Sequence, residues 1–131
     1  MPIEFICLGA LILLALVNIF WAGSTRTRQY GRDWNTGARD EQMPPLNPLA
    51  GRLLRAQANL FETLPLFVAA LLGAAFLDRL GWKTEVGALL YVISRAIYLP
   101  LYAAGTPKVR TLVWTLATAG LLLVWWALMF G

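Results

Sequence analysis

The chain has 131 residues, 59% of them hydrophobic, with a mean hydropathy of +0.62; this is too apolar for an ordinary soluble domain, and the length suits one compact unit. Eleven Lys plus Arg against seven Asp plus Glu leave a net charge of +4, but the bases sit between apolar runs, which points to membrane topology and away from nucleic acid. There is no histidine and a single cysteine, Cys7, which excludes a His-dependent triad, a zinc-activated water, a cysteine metal site and an internal disulfide, and leaves any chemistry to Arg, Tyr, Glu and Ser.

Ile3 to Ala22 is a near-continuous apolar run of 20 residues, enough at ~1.5 Å per residue to cover the ~30 Å hydrocarbon core of a bilayer. Glu4 stands where a signal peptide would carry Lys or Arg, and the run is too long for an h-region, so a retained first span is expected, with Cys7 as plain packing. Ser24 to Pro48 is polar, with Arg26, Arg28, Arg32, Arg39, a Trp34-Asn35-Thr36-Gly37 turn signal and the Pro44-Pro45 pair; it reads as an ordered or semi-ordered loop outside the bilayer. The second span runs from Leu49 to Leu77. Its first half places Arg55, Asn59 and Glu62 at spacings of four and three, within one arc of the helix that Arg52 joins a turn earlier. Pro65 frees the carbonyl of Phe61 and predicts a bend just beyond Glu62.

Asp78 to Glu85 is a short turn with Gly81 and an interfacial Trp82. The third span covers Val86 to Ala103, and there Tyr91, Ser94, Arg95, Tyr98 and Tyr102 fall within about 100° of arc, a second polar stripe. Gly105-Thr106-Pro107 breaks the chain, Lys108 and Arg110 follow, and Thr111 to Phe130 is a fourth span ending in a Trp125-Trp126 belt. The expected fold is an all-α integral membrane protein, a four-helix transmembrane bundle in one domain over residues 1–131. Arg26, Arg28, Arg32, Arg39, Arg52 and Arg55 at the first loop, and Lys108 and Arg110 at the third, outnumber Arg79 and Lys83 at the second. The positive-inside rule then places both termini outside and the two basic loops in the cytoplasm.

A charge in hydrocarbon costs ~2.5 kcal/mol or more on insertion scales, so charged side chains in a span normally face protein or a wet cavity. Glu62 lies ~20 Å along its helix from Leu49 and Arg95 ~14 Å from the inner end of the third span, so the two are expected to meet, with Asn59 and Ser94 to complete their hydrogen bonds. Such a group serves equally as a clasp between spans or as a binding site. Arg52, Arg55, Arg110, Tyr98 and Tyr102 nearer the mouth form an excess of cationic and phenolic donors suited to an anionic ligand, a carboxylate in particular. Snorkelling to the interface is the competing account of Arg52 and Arg110. Trp21, Trp82, Trp114, Trp125 and Trp126 read as belt anchors.

The signature Arg55-Ala56, Asn59, Glu62, Pro65, followed by SRAIYLPLY at 94–102 and a basic loop at Lys108 to Arg110, resembles the MAPEG family, the membrane-associated proteins in eicosanoid and glutathione metabolism, and its bacterial-type, microsomal glutathione transferase-like members in particular. The likeness covers nearly the whole chain. It implies a homotrimer with glutathione bound between neighbouring subunits and open to the cytoplasmic side. Carried over by position, Arg55, Asn59, Glu62, Arg95, Tyr98 and Tyr102 would bind glutathione, with Gln57 and Arg26 or Arg28 contributed by the neighbour. Arg110, with Tyr98, would stabilise the thiolate, which would attack a lipophilic electrophile or a lipid hydroperoxide arriving from the bilayer, with no metal. Thr63, where some relatives carry Tyr, and the first loop depart from the eicosanoid enzymes. Two alternatives stay open: a non-catalytic lipid-binding or structural protein of the same fold, and a small proton-coupled exporter built on a buried Glu, a design that would put its acid in the first span, where the one polar group at mid-span is Asn18.

Overall fold

The apolar runs become long helices. The computed structural model describes all 131 residues, Met1–Gly131, as α1 (Ile3–Tyr30), α2 (Arg32–Thr36), α3 (Pro48–Phe76), α4 (Trp82–Ala104) and α5 (Lys108–Phe130). Four of these, all but α2, are long and apolar enough to cross a membrane. The expected all-α four-span bundle is what the chain forms. Helix α1 contacts α3 and α4, α5 contacts the same two, and α1 and α5 do not meet, so α3 and α4 form the central diagonal of the bundle.

The first loop is shorter than its polarity predicts. The segment from Ser24 was expected to be loop, but α1 continues past its last apolar residue, Ala22, as far as Tyr30. The Thr25 hydroxyl bonds back to the Ala22 carbonyl at 2.8 Å, and Arg and Gln are good helix formers in water. What stops the helix is Gly31 at φ 97°, a left-handed conformation that costs glycine nothing. The Trp34-Asn35-Thr36-Gly37 stretch is the end of the short helix α2 rather than an open turn, and it closes where the Gly37 N–H donates to the Asp33 carbonyl at 3.0 Å. The rest of the loop is tied back to α1: the Gln29 side chain donates to the Pro45 carbonyl at 3.0 Å and accepts from the Asn47 N–H at 2.8 Å, and the Tyr30 hydroxyl donates to the Pro44 carbonyl. Asn47 then caps α3, accepting from the Ala50 N–H at 3.0 Å, with Pro48 in the first turn. Helix α3 stays helical through Pro65.

Helices α4 and α5 pack backbone to backbone. A Cβ built on Gly120 would stand 2.6 Å from the Gly87 carbonyl oxygen and 2.7 Å from the Tyr91 nitrogen, so only glycine fits this crossing. The apolar core is divided. One cluster, around Leu11, Phe67, Leu71, Tyr91 and Val124, fills the lower part of the bundle, and a second, of Ala22, Leu53, Ala56, Leu99 and Ala103, fills the end near the first loop. Between them lies a polar layer containing Asn18, Asn59, Arg95 and Tyr98. At the far end of the bundle Glu4 is buried, accepting from the Thr84 hydroxyl at 2.6 Å and so joining the first turns of α1 and α4. The outer faces, with Leu13, Val17 and Phe20 on α1 and Leu112, Leu116 and Leu122 on α5, are exposed and apolar, as lipid requires.

Candidate functional site

The stripe on α4 points inward. Tyr91, Ser94, Arg95 and Tyr98 are buried and Tyr102 is half-buried, because this face of α4 lies on the central diagonal. The stripe on α3 is turned aside. At ~100° per residue its mean direction lies roughly 100° around the helix from the buried arc of Leu53, Ala56, Leu60, Phe67 and Leu71. Arg52 and Asn59, nearest that arc, are half-buried, while Arg55 and Glu62 are exposed.

That rotation decides which residues meet. Arg95 donates from Nη1 to Asn59 Oδ1 at 2.9 Å. The expected Glu62–Arg95 contact does not form within this chain, since Glu62 sits about 60° further from the α3–α4 seam than Asn59. Ser94 is buried without bonding Arg95. The Arg95 guanidinium lies over the Tyr98 ring, 4.5 Å from its centroid, and its Nε is buried without a partner. An amide and an aromatic face therefore hold this cation, and no carboxylate does.

A second guanidinium repeats the arrangement one turn nearer the mouth. Tyr98 and Tyr102 meet edge to face at 5.5 Å, and Arg110, from the first turn of α5, covers the Tyr102 ring at 4.6 Å. Between them is a pocket of about 190 Å³ lined by Asn59, Tyr98, Arg110, Thr111 and Trp114. Thr111 and Trp114 were not expected there. Trp114 reads in sequence as a membrane-belt residue, and its spacing of four from Arg110, which sets both on one face of α5, is the signal that could have placed it.

The remaining candidates stand apart from this pocket. Arg52 donates from Nε to the Ala103 carbonyl at 2.8 Å, and so caps the end of α4. Arg55 turns back along α3, with Nη1 3.2 Å from where a Cβ on Gly51 would lie. Gln57 is on the opposite flank of α3 from Asn59, and its Oε1 is buried without a partner. Arg26 and Arg28 line a different cavity, beside the end of α1. One turn deeper than Arg95, Tyr91 shares a 2.8 Å hydrogen bond with the Thr63 hydroxyl and stacks on Phe67 at 4.3 Å. That fixes Tyr91 against α3 and away from the pocket.

Fold and site together define a multi-pass α-helical membrane protein with a cationic, phenol-lined polar layer between its two central helices. The chain belongs to the MAPEG family, whose family model matches residues 5–130. The family includes glutathione transferases as well as members that are not enzymes. No individual curated protein and no solved structure matches the chain.

Proposed function

We propose that this protein is a glutathione S-transferase or peroxidase acting on lipophilic electrophiles or lipid hydroperoxides, as a homotrimer with its basic loops in the cytoplasm. The observation that carries the reading is the pairing of a guanidinium with each of two adjacent phenols, Arg95 on Tyr98 and Arg110 on Tyr102, beside a pocket that Tyr98 and Arg110 line and whose lining includes no carboxylate. Such a site favours an anion. At about 190 Å³ the pocket is smaller than the ~300–1,000 Å³ usual for ligand sites. Arg55 and Glu62 face outward from the single chain on the same stripe. Both facts fit a site completed by a neighbouring subunit, with Gln57 and Arg26 or Arg28 as the neighbour's share.

The chemistry follows from charge. A free thiol with pKa ~8.5 is largely protonated at neutral pH, and a cationic neighbour favours its thiolate. Arg110 stabilises the sulfur anion, with the Tyr98 hydroxyl as a second donor, and the thiol proton leaves to water. The sulfur lone pair then forms a bond to an electrophilic carbon as the leaving group departs with its electron pair. With a hydroperoxide the thiolate takes the terminal oxygen, releasing the alcohol, and a second glutathione reduces the sulfenate to disulfide and water. Arg95 and Asn59, with Arg55 and Glu62, hold the carboxylates and the amine of the tripeptide.

The test is a thiolate titration by ultraviolet absorbance on detergent-purified protein, comparing the native chain with Arg110→Ala. A thiolate signal at neutral pH that the variant lacks is expected. Absence of the signal in the native chain, together with no glutathione binding by calorimetry, would sink the transferase reading in favour of a lipid-binding or structural role.

A further inference from the structure

A cavity of about 720 Å³ lies beside the part of α1 that continues past the apolar run. Arg26, Arg28, Arg32 and Arg39 line it, and no acidic side chain does. Arg26 Nε is buried there without a partner. Asp33, Asp40 and Glu41 border a neighbouring cavity that shares only Trp34 and Arg39 with this one. Arg39 is held by Asn35 Oδ1 at 2.6 Å and by the Trp34 ring at 4.5 Å, so its charge too is unanswered by a carboxylate. The other wall is apolar: Ile19 and Phe20, in the last turn of the apolar run, line the cavity.

Four cations above an apolar wall at a membrane boundary suit one kind of molecule, an amphiphile with an anionic head. We propose that this cavity binds the phosphate headgroup of an anionic membrane lipid, with an acyl chain laid along Ile19 and Phe20. The chain path continues on the same face of α1, since Leu16 and Leu13 fall four and seven residues before Phe20 and both are exposed. A soluble phosphate would use the arginines and leave the apolar wall uncovered, so a lipid is the better fit. The inference rests on the membrane embedding of the chain and not on the glutathione reading. Arg26 or Arg28 also enters that reading, from a neighbouring subunit, so the test varies only residues outside it, Arg32, Arg39 and Gly23, and its outcome is separate.

The protein is equilibrated in micelles containing equal amounts of phosphatidylglycerol and phosphatidylcholine with identical acyl chains, and retained lipid is counted by native mass spectrometry. The native chain should retain the anionic lipid preferentially, and each arginine lost should weaken the preference roughly fivefold. The variant Arg32→Gln with Arg39→Gln removes two exposed charges. Gly23→Leu fills the cavity instead, and its Cβ meets nothing within 4 Å, so the fold tolerates it. Both variants should bring the two lipids towards parity. Equal retention by the native chain, or a preference that survives in both variants, would overturn the proposal. Displacement of the lipid by free glycerol phosphate at equal concentration would also overturn it, reassigning the cavity to a small soluble anion.

Discussion

Arg95 is held by an amide and a ring face rather than by a carboxylate, and that gives its two candidate roles opposite signatures. Replacing a buried charge by an apolar side chain of similar size is often neutral when no opposite charge is left stranded. Arg95→Met strands only the Asn59 amide, so it should change unfolding free energy in detergent by about 1 kcal/mol or less while abolishing glutathione binding by calorimetry. A clasp would show the reverse, a loss of several kcal/mol with binding intact. The residue types at this site were legible in the sequence, because Arg, Asn, Glu and Tyr stand out at helical spacing against an apolar background. Their partners were not. Whether Asn59 or Glu62 meets Arg95 depends on a rotation of about 60°, which is decided by how the buried arc of α3 seats against its neighbours. Trp114 was missed for a related reason: a tryptophan near a helix end serves a lipid interface and a pocket wall equally well, and only the position of α5 separates the two.

Helices were the easiest feature to read, since a run of twenty apolar residues has few other uses. Their ends were harder. Polarity marks where α1 leaves the hydrocarbon, but the helix itself runs to Tyr30, eight residues beyond Ala22, before Gly31 stops it, because hydropathy reports the solvent and backbone conformation reports the residue. The close crossing of α4 and α5 was equally hidden, since Gly87 and Gly120 look alike in sequence to the roomy Gly9. Gly120→Ala puts a methyl group against backbone that cannot move aside, and should cost about 1–3 kcal/mol in detergent unfolding. Gly9→Ala, with nothing within 4 Å of the new Cβ, is the control, and should leave stability unchanged or raise it by about 1 kcal/mol or less.

At the scale of the molecule, Glu62 is the unresolved charge of the single chain, exposed on a helix that crosses the bilayer. Leaving it in lipid would cost ~2.5 kcal/mol or more, and a neighbouring subunit is the cover that the proposed function supplies. Native mass spectrometry should therefore find three chains, and a stable monomer would count against the intersubunit site. Orientation has its own test: on a Cys7→Ser background, Lys108→Cys should react with an impermeant maleimide only from the cytoplasmic side, and Lys83→Cys only from the other. The loop arginines are the basis for expecting this orientation, whereas no feature of a single chain gives the stoichiometry, because a lipid-facing helix and a subunit-facing helix share the same apolar composition.

The glycine crossing of α4 and α5 also bears on the order in which the site is built. Tyr98 and Tyr102 precede the Gly105-Thr106-Pro107 turn and Arg110 follows it, so the crossing joins all three into one hairpin within a single chain. Arg55 and Glu62 lie outside that hairpin and are exposed in the single chain. On the proposed function, a newly made subunit would acquire its reactive end while still alone, and its full grip on the substrate only on joining its partners. A lone chain would thus be nearly harmless before assembly, because Arg95 and Asn59 alone would hold only weakly the thiol it is equipped to activate.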